Sequence, residues 1–226
     1  MLRLSSENFA EFEKIGTILL SEKVFVADLC RNTTEKYTKT LENIKPGRYN
    51  VFIYEINDAP YGDRVMAQLL IHEKSQFTEN FELVSTMIDV DSGVCGISDY
   101  DFFVSTIENN SDIVYEKLSS RVKNPDYMTD LAYLRKIGNP NDSEEIIDGH
   151  MIDYWNNILL SNPLIQKYER AAISEQSVFT FSGYGDGTYD VGITKNDNQI
   201  DSILLNFGLD DEMLINDDSN ECQIIF

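Results

Sequence analysis

Basic side chains are scarce in this 226-residue chain, and two long stretches have none. Asp and Glu number 39 against 18 Lys and Arg, for a net charge of −21 at pH 7. Between Ser75 and Glu116 stand nine acids and no base, and after Lys195 another eight acids and no base. Binding to phosphate depends on cations that displace counterions, so the shortage argues against nucleic acid or an anionic membrane as a direct partner. A basic protein is the electrostatic complement. The plainer reading is that the acidity keeps the protein soluble. Cysteine is also sparse. Cys30, Cys95 and Cys222 form an odd set with no C-x-x-C spacing, which reads as reduced thiols and excludes a zinc ribbon or a disulfide framework. No run of 18 apolar residues occurs, and the opening MLRLSSENFAEFEK turns polar too early for a secretion signal, so a cytoplasmic protein is expected. Internal repeats, low-complexity tracts and Pro- or Ser-rich linkers are absent, which favours one domain over residues 1–226.

Apolar residues make up 42% of the chain and aromatics 11%, enough to build a core. From 16 to 94 the pattern is extended. Ile18–Leu20 and Val24–Ala27 are short apolar runs, and Pro46-Gly47 is a turn signal ahead of a strand at Tyr49–Ile56 that is apolar on both faces. Arg64–His72 and Leu83–Val90 continue in the same style. The middle changes period. Ile113, Val114, Leu118 and Val122 recur at helical spacing within Ser111–Lys123, as do Met128, Leu131, Ala132 and Leu134 within Tyr127–Lys136. Ser143 with Glu144 and Glu145 resembles a helix start, and Leu164–Ala172 is expected to add another turn or two. Extended character returns in Ser177–Phe181, Tyr189–Thr194 and Gln199–Phe207, with a hairpin turn at Lys195–Asn198. The expected fold is α+β: a strand-rich antiparallel sheet or sandwich over 16–94 and 176–226, with a helical insert over 108–173.

Three segments carry a family resemblance. Lys45-Pro46-Gly47-Arg48-Tyr49-Asn50-Val51, then Ile88-Asp89-Val90-Asp91-Ser92-Gly93, then Gly183-Tyr184-Gly185-Asp186-Gly187-Thr188-Tyr189 resemble the "PGRYPV", "VDSG" and "GDGxYPV" segments of bacterial domain of unknown function family 4241. Asn50 and Asp190 stand where that family often has proline, and the helical middle has no counterpart. The resemblance implies a bacterial cytosolic origin and a strand-rich fold. It implies no activity.

Candidate chemistry is thin. Gly183, Gly185, Asp186, Gly187 and Tyr189 could form an anion-binding loop, but no Lys-Ser/Thr follows and a strand comes next, so a tight inter-strand turn is the simpler reading. Asp89, Asp91, Asp99 and Asp101 form two D-x-D pairs, the donor type that Ca²⁺ or Mg²⁺ takes, although the EF-hand spacing is absent and a solvated loop would serve equally. His72 and His150 are the sole histidines, and neither lies in a nucleophile signature. Cys95 has acidic neighbours, which oppose a thiolate, and reads as a buried structural cysteine. Trp155 reads as a core residue, with an interface anchor as the alternative. Two functions are carried forward. One is a non-enzymatic, immunity-type binder of a basic partner that uses no cofactor. The other is a hydrolase or a small-ligand or metal-binding protein built from Asp89–Asp101 and the Gly183–Gly187 turn. A homo-oligomer stays open beside both.

Overall fold

The computed structural model describes residues 1–28, 38–58, 62–84, 87–90, 93–102, 166–167 and 171–209. Two antiparallel sheets face each other. The strands in chain order are β1 (Leu2–Arg3), β2 (Glu13–Leu20), β3 (Lys23–Asp28), β4 (Thr38–Glu42), β5 (Gly47–Asp58), β6 (Gly62–His72), β7 (Asn80–Leu83), β8 (Ile88–Val90), β9 (Val94–Asp99), β10 (Gln166–Lys167), β11 (Ala171–Ile173), β12 (Ser177–Phe181), β13 (Gly187–Asn196) and β14 (Gln199–Asn206). A single-turn helix, α1 (Ser6–Phe9), lies near the start. The eight-stranded sheet runs β1-β7-β13-β14-β6-β5-β2, with β8 also pairing β13; the six-stranded sheet runs β10-β11-β12-β9-β3-β4.

The core follows from alternation. Val24 and Val26 of β3, Cys95 and Ile97 of β9, and Val178 of β12 point inward against Ile18, Val51, Leu70, Val191 and Ile203 of the larger sheet. The larger sheet is apolar on its outer face as well. There Met66, Leu69, Ile71 and Leu204 are covered by Leu2, Leu4, Phe12 and Phe81. This is the physical meaning of a β5 sequence that is apolar on both faces: Val51 and Ile53 go to the inner core, while Phe52, Tyr54 and Ile56 pack outside, with Phe9 edge-on to Phe52. Ser5 starts that cover by accepting a bond from the Asn8 amide as the cap of α1.

One turn and one strand entry obey local chemistry, while the turn expected at Pro46-Gly47 is not formed because Gly47 already pairs with Leu20. Asp197 and Asn198 sit at φ 51° and 63°, the paired positive values of a tight hairpin turn between β13 and β14. Gly47, at φ 142°, begins β5, and a Cβ there would lie 2.6 Å from Nε2 of His72.

Several expectations need correction. Leu83–Val90 is two strands rather than one: β7 ends at Leu83, and β8 begins at Ile88 on a different stretch of β13. The Gly93–Gly96 region, weighed as a solvated loop, begins the buried central strand β9; glycine serves there because a Cβ on Gly96 would come 2.2 Å from the Val178 carbonyl oxygen. The tail of the proposed helical insert is extended too. Gln166–Lys167 and Ala171–Ile173 are strands, because Ala171 and Ile173 face the core as β11 pairs with β12. The remaining helical expectations, with His150 and Trp155, lie outside the described residues, as do Cys30, Asp91 and Cys222.

Candidate functional site at the glycine turn

β12 and β13 are joined by Ser182–Asp186, and three other segments meet this turn. β8 pairs alongside β13 with Val90 opposite Gly187 and Asp89 opposite Thr188. Thr188 Oγ1 donates to Asp89 Oδ1 at 2.8 Å, and the Ser182 amide donates to the Gly93 carbonyl at 3.0 Å. Beneath lies a bulge in β6. Tyr54 pairs with Ala67 and Glu55 with Val65, so Met66 is the extra residue. The bulge frees two carbonyls for the turn and its neighbour: the Gly183 amide donates to Val65 (2.8 Å) and the Phe207 amide to Met66 (2.9 Å). Arg64 completes the junction, its Nη1 donating to the Gly183 carbonyl at 2.9 Å and its guanidinium lying 4.9 Å from the centre of the Tyr184 ring.

The turn holds its own shape. Gly183 is at φ 43°, and a Cβ there would come 2.5 Å from the Phe207 carbonyl oxygen, so both conformation and space demand glycine. Ser182 Oγ donates to the Gly185 carbonyl (2.8 Å), and the Tyr189 hydroxyl bridges the Ser182 (3.2 Å) and Gly185 (2.6 Å) carbonyls. The Tyr189 ring stands edge-on to Phe207, and burial, the largest cause, pushes its phenol up. The amides of Gly183 and Gly185 are turned to the Val65 and Ser182 carbonyls, and an anion cradle needs those amides open.

The structure thus brings Asp89 to the glycine turn and leaves Asp99 elsewhere. Asp99 ends β9, roughly 17 Å along the strand from Val94 at about 3.3 Å per residue. Its carboxylate is buried, accepting from the Ser21 amide (2.7 Å) and the Phe102 amide (3.2 Å). It caps two chain segments. Asp101 is exposed beyond it. Asp91, the remaining member of the two D-x-D pairs, lies outside the described residues, and among the described residues no three His, Cys, Asp or Glu side chains are placed to hold a metal ion.

Inward of the turn, one rung of the smaller sheet carries Asp28, Cys95 and Thr180, which are neighbours in register and all buried. Burial first, then the Asp28 carboxylate, pushes the Cys95 thiol far up, so it stays protonated and un-nucleophilic. Thr180 Oγ1 donates across the sandwich to Gln68 Oε1 at 3.2 Å. Sequence reasoning missed this pair; Gln68 inside an otherwise apolar strand was the one signal for it. His72 is also taken up in structure. Its Nδ1 accepts from the Lys74 amide (3.2 Å) and its Nε2 faces the Pro46 carbonyl (3.3 Å), which fits the neutral Nε2–H tautomer. Beside it, Tyr49 donates to the Lys45 and Ile200 carbonyls, and burial followed by the nearby Asp201 charge raises its phenol strongly.

The acids of the base-free stretches are dispersed among the described residues. Glu79 pairs with Arg3 at 3.3 Å, Glu82 with Lys195 at 2.9 Å, and Asp197 lies at the far end of β13 from Asp89. No helix among the described residues is long and apolar enough to cross a membrane.

Known proteins supply no identity. No family model, curated protein or solved structure matches this chain.

Proposed function

We propose that this chain is a non-enzymatic, acidic interaction protein of the bacterial cytoplasm, an immunity-type binder that meets a basic partner protein. What carries the reading is the state of the reactive groups. Among the described residues Asp99, His72, Cys95 and the Gly183 and Gly185 amides are each engaged in holding the sandwich, and the excess negative charge of the chain supports recognition of a basic surface. The resemblance to family 4241 agrees with a bacterial origin, and the helical spacing at Ser111–Lys123 and Tyr127–Lys136 supports a helical insert within one domain. Opposite charge speeds encounter and selects partners, and salt weakens it. Immobilised full chain should retain a basic protein from its host extract, with an association rate that falls several-fold from low to physiological salt. Retention of acidic proteins alone, or an association rate indifferent to salt, would sink the reading.

One observation favours the second reading, a small-ligand or divalent-cation binder. Asp89, one end of the Asp89–Asp101 stretch that reading uses, pairs beside the Gly183–Gly187 turn, while Asp99 does not reach it. Calorimetric titration with Ca²⁺ and Mg²⁺ tests it, and a heat signal abolished by Asp89→Asn would promote it over the first.

A further inference from the structure

Gln68 lies within β6 with its side chain between the sheets, paired in register with Ile53 of β5 and Leu205 of β14, both of the inner core. It is 0% exposed. A glutamine amide carries an oxygen that accepts and a nitrogen with two hydrogens to donate. The oxygen accepts from Thr180 Oγ1 at 3.2 Å, and the nitrogen has no hydrogen-bond partner among the described residues. Exchanging the two ends of the amide only moves the shortage to the oxygen, since Thr180 serves one end. Folded proteins satisfy nearly all such buried groups, with protein atoms or with ordered water.

Across from this amide the inner side of the smaller sheet changes character. One rung, Val26, Ile97 and Val178, is aliphatic; the next, Asp28, Cys95 and Thr180, is polar, and its members are at most 1% exposed. Cys95 also stands where the neighbouring rung has the larger Ile97. Its thiol, kept protonated, offers a weak donor, and its sulfur a weak acceptor. Polar atoms on short side chains therefore gather opposite Gln68. An apolar site of this size stays dry, whereas one with two to four polar partners holds a water. We propose that a structural water molecule sits between the two sheets here, accepting from Gln68 Nε2 and donating to the polar rung at Thr180 and Cys95. It extends the Gln68–Thr180 contact into a hydrated bridge inward of the glycine turn, and it gives the buried nitrogen an acceptor.

The test is transfer of magnetisation from water to the Gln68 side-chain amide, measured by NMR on the folded, nitrogen-15-labelled full chain. The two amide protons should show cross-peaks at the water frequency, with opposite signs in nuclear and rotating-frame Overhauser spectra, as for a water that tumbles with the protein. Thr180→Val separates that water from the exchanging Thr180 hydroxyl: the cross-peaks should persist, because both ends of the amide then need a partner. No water cross-peak from Gln68, or its loss in folded Thr180→Val, would overturn the proposal. A crystal structure of the full chain supplies a second readout that needs no variant. Density for a water within about 3.2 Å of the Gln68 amide is expected; a Gln68 nitrogen bonded directly to Asp28 or Cys95, or one surrounded by side chains alone, would overturn it too.

Discussion

Gly183 shows how a single position carries several demands at once: a left-handed φ, a close approach to Phe207, and two hydrogen bonds through its own backbone. Gly183→Ala should cost about 2 kcal/mol or more in urea denaturation, since strained backbone of this kind costs roughly 1–3 kcal/mol before any clash is relieved. Tyr189→Phe keeps the ring on Phe207 and removes the hydroxyl from two carbonyls, an expected loss of about 1 kcal/mol. Titration has a definite sign at Cys95, Tyr49 and Glu79, and Tyr189 follows Tyr49. Cys95 and Tyr49 have folded pKa values above their ordinary ones, so their contribution is intact below the unfolded values and drains away as pH rises beyond them. Stability should therefore fall above roughly pH 9, and Tyr49→Phe should flatten the fall while lowering stability at neutral pH. Glu79 runs the other way. The Ser6 amide, then the Ser6 hydroxyl and Arg3, hold its carboxyl below the ordinary range, so its contribution is present above that range and is lost as pH drops through its folded pKa.

Strands β5 and β6 were legible as strands because β-branched and aromatic residues crowd them, and their two-faced apolarity announced cover on both sides. What covers the outer face was not legible. The segment from Leu2 to Phe12 looks like a polar start, and its value comes from contacts with Phe52, Phe77 and Phe81 far along the chain. The bulge at Met66 was equally hidden, since an extra residue in a strand leaves no mark on composition. The Gln68–Thr180 bridge makes a test of paired polar groups between elements. Thr180→Val alone should cost about 1–3 kcal/mol by leaving the Gln68 carbonyl oxygen buried and unpaired, whereas Thr180→Val with Gln68→Leu should recover most of it. A thermal-unfolding double-mutant cycle measures this directly. In the β13–β14 hairpin, Asn198→Gly fits the paired positive φ values and should raise stability by about 0.5 kcal/mol.

At the scale of the whole molecule the dominant quantity is a net charge of −21. Self-repulsion of that size opposes the compact state, and screening relieves it. The melting temperature at pH 7 should therefore rise as salt goes from about 10 mM to about 300 mM; a fall would show that the pairs Arg3–Glu79, Lys23–Glu42 and Lys195–Glu82 outweigh the repulsion. The sequence by itself determined the acidity, the strands β2, β3, β5, β6, β12, β13 and β14 and the turn at Asp197-Asn198, because charge, pleat alternation and positive-φ preference are local properties. Only the tertiary structure decided that Asp89 joins the glycine turn while Asp99 caps the opposite end of β9, and that the Gly183 amide turns to the Val65 carbonyl. Those outcomes depend on which strands become neighbours and in what register, and a register is set by the packing of the whole sandwich rather than by any one strand.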